Sequence, residues 1–288
     1  MANILCTGIA TVDIINELEQ YPAEDDEVRI LSQVKCRGGN AANTAVMLSQ
    51  LGHQCHWAGT VVDPLTGDND CRIILDDLQR HNINVQYSQF LAQGKVPTSY
   101  ISLSRQTGSR TISHYRDLPE YPFSAFKQIP LEHFDWLHFE GRNIQQTLKM
   151  MTFCRKKTRK IPISLEIEKP RETIETLIPY ADVIFFSRQY ALMNAYKDPR
   201  SFCIDISQSY PEQLIFCAWG EAGAGAALQQ QLYWQDGIKI KAIDTLGAGD
   251  IFNAGIIHQQ IKQQSIQHSL QYACQTAAEK CTKKGLIS

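Results

Sequence analysis

The residues of this chain best suited to chemistry lie in a glycine-rich turn at residues 244–250, whose sequence is DTLGAGD. The turn follows a run with the alternation of a β-strand (residues 238–243) and precedes a helix-like run (residues 251–263). Such a glycine turn at the start of a helix exposes backbone N–H groups and the positive end of the helix dipole, which together bind anionic phosphate oxygens. Asp250 would place a carboxylate beside that anion, where it could take a proton; the alternative is that Asp250 only caps the helix.

A second polar motif, RGGNAAN, covers residues 37–43. Its two glycines permit positive φ angles and close approach of the backbone. Asn40 is predicted to cap the following helix, and Asn43 lies one turn later on the same edge. Each side-chain amide offers two donors and an acceptor, so the pair could bind the hydroxyl groups of a sugar. The alternative is a capping asparagine beside a solvated one.

Strand-like and helix-like segments alternate along most of the chain, which predicts a parallel sheet with helices on both faces. The predicted strands are residues 3–10, 53–62, 135–140, 161–168, 182–187 and 214–219, and the predicted helices include residues 67–81, 144–159, 171–178 and 189–196. Ligands of such sheets bind beyond the carboxyl ends of the strands. Glu140, Glu166 and Glu168 follow or end predicted strands, so we expect them near the glycine turn.

Two early segments interrupt this pattern. Residues 97–105 and 110–115 alternate with period two around a polar turn, which predicts a hairpin with one polar face. Residues 16–35 are polar and contain a short β-like piece at residues 28–31. We expect these segments to form a small separate sheet, called the lid below. Arg110 begins the second hairpin strand, where it could point into a cleft or act as a solvated cross-strand charge.

Composition narrows the class of protein. The 288 residues are 43% hydrophobic and carry a formal net charge of −2, which allows a sizeable core and argues against nucleic acid or an anionic membrane as a partner. The N-terminus resembles a strand rather than a signal peptide, so we expect a cytoplasmic protein. The 9 cysteines are scattered without a Cys-x-x-Cys pair, which favours reduced thiols over zinc. We find no P-loop, and residues 223–228 lack the third glycine of the dinucleotide fingerprint.

Jointly, the motifs at residues 37–43 and 244–250 resemble the two signatures of the ribokinase/PfkB-like carbohydrate kinases, in the order and spacing of that family. The resemblance extends over essentially the whole chain. It implies an α/β fold, namely a ribokinase-like three-layer α/β/α core with a mostly parallel sheet plus a small β-sheet lid. The implied division is core at residues 1–12, 37–94 and 118–288, and lid at residues 13–36 and 95–117.

The resemblance also implies a role for individual residues. Asp250 matches the catalytic base, and the anion hole matches Gly247, Ala248 and Gly249. The sugar-contacting positions match Asp13, Gly39, Asn40, Asn43 and Arg110. The nucleotide-binding positions match Gly220, Glu221, Gly223, Gly247 and Gly249, with Cys274 beside the adenine. The implied cofactors are ATP and Mg²⁺, with Glu140, Glu166 and Glu168 as candidates to bind Mg²⁺ through water, and a monovalent cation such as K⁺ is also compatible with the family.

Within the family, the ketohexokinase branch is the most similar, through features such as GSRTI at residues 108–112 and EIEKPR at residues 166–171. That likeness implies ATP-dependent phosphorylation of fructose at its 1-hydroxyl and a homodimer formed through the lid. The chain departs from many family members at residues 187–190, where SRQY replaces the usual Asn-x-x-Glu, and at Ile251, where threonine is usual. Another sugar or nucleoside kinase, or a non-catalytic sugar or nucleotide sensor, remain as alternatives.

Overall fold

The computed structural model describes residues 1–158 and 160–286. The strands are β1 (Asn3–Thr7), β2 (Thr11–Leu18), β3 (Ser32–Gly38), β4 (Gln54–Ala58), β5 (Thr60–Val62), β6 (Ile83–Asn84), β7 (Gln89–Leu91), β8 (Thr98–Ser104), β9 (Arg110–Tyr115), β10 (Trp136–Glu140), β11 (Ile163–Ile167), β12 (Val183–Ser187), β13 (Leu214–Ala218), β14 (Gly223–Leu228) and β15 (Gln231–Asp236). The helices are α1 (Asn40–Gln50), α2 (Cys71–Arg80), α3 (Phe123–Phe126), α4 (Ile144–Lys157), α5 (Arg188–Met193), α6 (Pro199–Ser209), α7 (Ala248–Ile261) and α8 (Ile266–Cys281).

The core is a nine-stranded sheet in the order β15-β14-β13-β12-β11-β10-β1-β4-β6. Its strands pair in parallel from β13 to β6, whereas β14 and β15 are antiparallel additions at one edge. The central strands are buried along their whole length because helices cover both faces, as parallel sheets require. This confirms the predicted α/β fold with a mostly parallel sheet.

Two apolar clusters lie on opposite faces of this sheet. One packs α1, α2, α7 and α8 against the strands, and its members include Val46, Trp57 and Ile256. The other packs α4, α5 and α6 and includes Met151 and Phe202. The chain therefore has the three layers expected, and the helix that follows the glycine turn lies in the same layer as the helix that follows the RGGNAAN motif.

The lid is a four-stranded sheet in the order β3-β2-β8-β9, separate from the core sheet. The predicted hairpin is confirmed as β8 and β9, which pair antiparallel. The rest of the lid comes from β2 and β3, which are longer than the β-like piece expected there, and residues 28–31 are not a strand. Strand β2 begins only four residues after β1 ends, so the lid is attached directly to an inner strand of the core sheet. The exact residue boundaries between core and lid stay a prediction.

Several local predictions were wrong. Residues 238–243 form no strand, and the edge of the sheet is instead filled by β14 and β15, which the sequence interpretation missed. The predicted strand at residues 53–62 is two strands, and the predicted helix at residues 171–178 is a 3-10 helix at Ile174–Tyr180. The helix predicted at residues 144–159 ends at Lys157, and Arg159 lies outside the described residues, as do residues 287–288 of the predicted core.

Within the described residues, all nine cysteines are free thiols. No group of three or more histidine, cysteine or carboxylate side chains in this part of the chain is arranged to bind a metal ion. The described helices include none that is both long enough and apolar enough to cross a membrane.

Candidate active site

The glycine turn leads into α7, which begins at Ala248. Gly247 is the residue before the helix and has a left-handed backbone (φ 74°), a conformation that glycine adopts without steric penalty. No side chain of the described residues caps this helix start, although the N–H of Ala248 donates to the carbonyl oxygen of Thr245 at 3.3 Å. The predicted anion-binding geometry at Gly247, Ala248 and Gly249 is compatible with the structure, because a helix begins there without a side-chain cap and its dipole favours an anion.

Asp250 lies in the first turn of α7 but does not cap it. Its side chain is buried, and its Oδ2 atom accepts a hydrogen bond of 2.6 Å from Nδ2 of Asn43, a residue 207 positions away in the sequence. Burial raises the pKa of Asp250 to about 8, and the hydrogen bond from Asn43 opposes part of that rise. A carboxyl group with a pKa near neutrality is well suited to accept a proton during a reaction.

Asn43 is itself fixed by Arg37, whose Nη1 donates to Asn43 Oδ1 at 2.6 Å. The Arg37 guanidinium is 3% exposed and also donates from Nε to Asp77 Oδ2 at 2.6 Å. With both its amide atoms engaged, Asn43 is held in one orientation and presents its N–H₂ group to Asp250. Arg37 was overlooked as a functional residue by the sequence analysis; its only signal was its place in the RGGNAAN motif.

Asn40 is not the helix cap that the sequence predicted. It is the first residue of α1, and Gly39 occupies the capping position with φ 102°. Because it does not bond to the helix start, the Asn40 side chain is free to reach across to β11, where Nδ2 donates to Glu166 Oε1 at 3.1 Å. The two asparagines thus each contact a carboxylate at the carboxyl edge of the sheet.

Glu140 and Glu166 end or nearly end neighbouring parallel strands and are paired directly in the β10–β11 register. Glu140 Oε2 accepts a hydrogen bond of 2.9 Å from the N–H of Ile9, in the connection between core and lid. Burial raises the pKa of both carboxyl groups, and the nearby Asp250 raises that of Glu166 further. Glu168 lies just beyond β11 and contributes charge to this group. The expected convergence of these carboxylates near the glycine turn is confirmed.

One carboxylate oxygen at this edge has no partner among residues 1–158 and 160–286. Within these residues Glu166 Oε2 is buried without a hydrogen bond, although a buried polar atom in a native protein nearly always has one. An Mg²⁺ ion brought by a nucleotide would fit here through its bound water molecules, which prefer carboxylate oxygens. Direct coordination by several side chains does not fit, because the described residues contain no such ligand group. The carboxylates of Glu140, Glu166 and Glu168 would therefore contact a metal through water.

Asp13 lies in β2 of the lid and is largely buried, which raises the pKa of its carboxyl group. Its Oδ1 accepts a hydrogen bond of 2.8 Å from the Thr11 hydroxyl. In the lid register, Asp13 is opposite Ser99, and Ser99 is opposite His114, so the three share one face of the sheet. Ser99 Oγ and His114 Nδ1 are 3.3 Å apart. His114 has no sequence signal of its own, because only the strand register reveals that it shares a face with Asp13.

The remaining predicted residues lie on other elements. Arg110 begins β9 and is exposed, on the same face of the lid as Asp13. Gly220 and Glu221 lie in the turn between β13 and β14, and Gly223 begins β14. Cys274 lies on α8, where burial raises the pKa of its thiol to about 12. No hydrogen bond between described side chains connects these four positions or Arg110 to Asp250.

Known proteins resemble this chain in both sequence and fold. The sequence profile of the pfkB family carbohydrate kinases matches residues 1–288. The chain belongs to the pfkB family of carbohydrate kinases. Similar curated proteins include a ketohexokinase of Mus musculus, 35% identical over 98% of this chain and 97% of its own length, and a ribokinase of Bacillus subtilis, 24% identical over 88% and 84%.

Solved structures of pfkB-like kinases share the fold. A ribokinase from Giardia lamblia has a TM-score of 0.84 at 14% identity, covering 99% of this chain and 96% of its own. A ribokinase of Arabidopsis thaliana, solved with ribose and ATP, has a TM-score of 0.79 at 15% identity, covering 99% and 94%. Membership of the pfkB family makes this chain a phosphotransferase that acts on a sugar hydroxyl, and the ribokinase-like fold expected from the sequence is confirmed.

Proposed function

We propose that this chain is an ATP-dependent ketohexokinase that phosphorylates fructose at its 1-hydroxyl, with Asp250 as the general base. The observation that carries the proposal is the position of Asp250: a buried carboxyl group, fixed by Asn43, at the last residue of the glycine turn. A base beside an anion-binding helix start is the arrangement that transfer of a phosphoryl group to a hydroxyl requires. The choice of fructose is supported by the 35% identity to the mouse ketohexokinase.

The reaction would proceed by direct transfer. Asp13, Asn40 and Asn43 bind the sugar hydroxyls, and Gly39 allows the backbone to approach them closely. Asp250 accepts the proton of the 1-hydroxyl while that oxygen forms a bond to the γ-phosphorus of ATP, and the bond from phosphorus to the leaving oxygen breaks to release ADP. The proton later passes from Asp250 to solvent. The N–H groups of Gly247, Ala248 and Gly249 stabilise the negative charge of the transferred group.

The nucleotide and its metal would bind along the carboxyl edge of the sheet. Gly220, Glu221 and Gly223 are proposed to line the nucleotide site, with Cys274 beside the adenine. Mg²⁺ bound to ATP neutralises phosphate charge, and Glu140, Glu166 and Glu168 would orient its water molecules. The unpartnered Glu166 Oε2 supports this role, because a bound water would satisfy it. A requirement for K⁺ stays a prediction.

Closure of the lid would complete the site. Arg110 and His114 are exposed on the lid face that carries Asp13, so movement of the lid toward the glycine turn would bring both over the sugar. Closure excludes water, which would otherwise compete with the sugar for the phosphoryl group. Arg110 would then contact the sugar as the family resemblance implies.

The proposal is tested by measuring ADP release with Mg-ATP across fructose, ribose, tagatose, fructose 6-phosphate and adenosine. We expect the highest kcat/KM with fructose, and phosphorus NMR of the product should show a 1-phosphate. Preferred turnover of ribose or adenosine would instead identify another kinase of the family. Sugar or ATP binding without ADP release from any acceptor would favour a sensor and contradict the proposed catalysis.

We also propose that the lid pairs with the lid of a second copy of this chain. Val34, Ile15, Ile101 and Ile112 are adjacent in register across the four strands, so their side chains form an apolar row on one face. The outer two, Val34 and Ile112, are 53% and 49% exposed. The same face carries Asp13, so a second copy bound there would lie beside the sugar site. Ile101, inside the row, is 1% exposed, so the surface open to a partner is at the two ends of the row. Exposed apolar surface commonly marks protein interfaces.

Introducing a charge into this row is expected to dissociate the dimer. Ile112→Glu should convert the wild-type dimer to a monomer in sedimentation-velocity measurements, because a carboxylate would be buried without a partner in the interface. The matched control is Met193→Glu, which introduces the same charge at a 63% exposed apolar residue on α5 of the core. A wild-type chain that sediments as a monomer at micromolar concentration would contradict the proposed pairing.

A further inference from the structure

A buried lysine contacts the first residue of the glycine turn. Lys280 lies in the last turn of α8, and its side chain is only 3% exposed. Its Nζ atom donates a hydrogen bond of 2.9 Å to the backbone carbonyl oxygen of Asp244 and lies 3.2 Å from Asp244 Oδ2. A buried ammonium group is retained at such a position only when it is paired, and here both partners belong to the same residue.

Asp244 in turn binds backbone N–H groups of two segments, the glycine turn and the residues beyond α8. Its Oδ1 accepts a hydrogen bond of 2.8 Å from the N–H of Leu246, the residue that precedes Gly247. Its Oδ2 accepts one of 3.0 Å from the N–H of Gly285, beyond the end of α8. One carboxylate therefore connects the ammonium of Lys280, the glycine turn and the segment that follows α8.

Backbone hydrogen bonds reinforce the same connection. The carbonyl oxygen of Cys281 accepts hydrogen bonds of 2.7 Å from the N–H of Ile243 and 3.2 Å from that of Asp244. The residues from 237 to 246 form neither helix nor strand, so these contacts, rather than a regular element, define where the turn begins. Leu286 packs against the other side, because a Cβ atom added to Gly247 would lie 2.3 Å from its Cδ1.

We propose that Lys280 is a positioning residue for phosphoryl transfer: through Asp244 it fixes the Leu246–Gly247 backbone, and so aims the N–H groups of the glycine turn at the transferred phosphoryl group. The proposal rests on the proposed function, in which those N–H groups bind phosphate. It assigns a catalytic consequence to a lysine that touches neither sugar nor nucleotide. A displacement of about 1 Å at the turn is sufficient to lower a rate by up to about 100-fold.

The test compares Lys280→Met with the control Lys283→Met, which removes an exposed lysine three residues later. For Lys280→Met we expect a kcat about 10-fold to 100-fold below wild type and a KM for ATP raised more than the KM for the sugar, because the turn contacts phosphate. Lys283→Met should retain wild-type constants. Equal changes in both variants, or none in Lys280→Met, would overturn the proposal.

Loss of one charge from a buried pair also destabilises a fold, so a second variant separates stability from positioning. Asp244→Asn combined with Lys280→Met removes both charges and should unfold at a higher temperature than Lys280→Met alone, yet keep its low kcat. Ethylammonium added to Lys280→Ala should restore part of kcat, whereas NaCl at equal ionic strength should not. A double variant with wild-type kinetics would show that Lys280 only balances a buried charge.

A readout without substrate distinguishes this proposal from the proposed function. Amide hydrogen exchange across residues 244–250 should be faster in the folded double variant than in wild type, while exchange in the β10 and β11 strands stays the same. That result would stand even if the wild-type protein failed to phosphorylate any sugar in the substrate series. If the amide hydrogen exchange rate at residues 244–250 is unchanged in the double variant, Lys280 has no positioning role, whatever the measured kinase activity.

Discussion

Replacing Asp250 by asparagine is expected to lower kcat for the sugar by about 10²–10⁴-fold, the usual contribution of a general base. The substitution keeps the size of the side chain and an oxygen that can accept the hydrogen bond from Asn43 Nδ2. It removes only the capacity to take a proton. The KM for the sugar should therefore change much less than kcat. Steady-state ADP release measures kcat, and calorimetric titration of the sugar measures binding directly.

The control for this variant is Asp205→Asn, the same chemical change at an exposed residue of α6 in the core. It should retain wild-type kcat. If Asp250→Asn retains kcat within about threefold of wild type, then another group accepts the proton, and Glu166 is the next candidate, because its charge and that of Asp250 interact directly.

The pH dependence supplies a second readout for the same base. Burial raises the pKa of Asp250 from 3.8 to about 8, so the free protein carries a protonated carboxyl group at neutral pH. Only the ionised form can accept the hydroxyl proton. The kcat/KM of wild type should therefore rise with pH up to about 8 and then level off, whereas the residual activity of Asp250→Asn should not show that rise.

The raised pKa of Asp250 also predicts how stability depends on pH: ionisation of this carboxyl group enables catalysis but destabilises the folded state. A carboxyl group whose pKa is raised on folding stabilises the native state only while it is protonated, and that contribution is lost as the pH rises through the pKa of the folded state. Asp250→Asn cannot ionise, so its thermal stability should increasingly exceed that of wild type between about pH 4 and pH 8. If Asp250→Asn is more stable than wild type and yet inactive, its loss of activity comes from the missing base and not from unfolding.

The convergence of the site was accessible from sequence because parallel strands bring their carboxyl ends to one edge. Glu140 and Glu166 lie at or near the ends of two strands in a chain that alternates strands with helices, so their proximity could be predicted from topology alone. The individual hydrogen bonds could not be predicted. Asn43 and Asp250 are far apart in the chain, and nothing local predicts that Asn43, rather than Asn40, is the partner of Asp250. Only the packing of α1 beside α7 determines that choice.

The errors in the strand predictions have a common physical cause. Residues 238–243 alternate isoleucine with lysine, but Ile238, Ile240 and Ile243 are each more than a third exposed, and no strand in the described part of the chain pairs with them. Strand β14 has the reverse character, since its sequence GAGAAL has low β propensity. Glycine is needed at its first position, because a Cβ atom on Gly223 would lie 2.1 Å from the carbonyl oxygen of Gln235 on β15. Whether residues 238–243 and β14 form strands therefore depends on pairing with a neighbouring strand and not on local propensity.

Gly39→Ala is expected to destabilise the fold strongly. Gly39 has φ 102°, which favours glycine, and an added Cβ would lie 2.4 Å from the carbonyl oxygen of Ile9 and 2.7 Å from Cα of Ala10. Both contacts are to backbone atoms that a side-chain rotation cannot relieve. Strain and overlap together should lower the free energy of unfolding by about 3 kcal/mol or more. The displaced segment also carries the Ile9 N–H that binds Glu140, so activity should fall as well.

Urea denaturation of Gly39→Ala measures this loss, and Gly52→Ala supplies the matched control. Gly52 also has a positive φ, 88°, but a Cβ atom there meets nothing within 4 Å. Gly52→Ala should therefore show only the backbone strain, about 1–2 kcal/mol, and retain wild-type kcat. The difference between the two variants isolates the close approach of the RGGNAAN motif to the connection between core and lid. Equal losses would mean that the backbone at Ile9 moves aside freely, and that Gly39 is required for its φ angle alone.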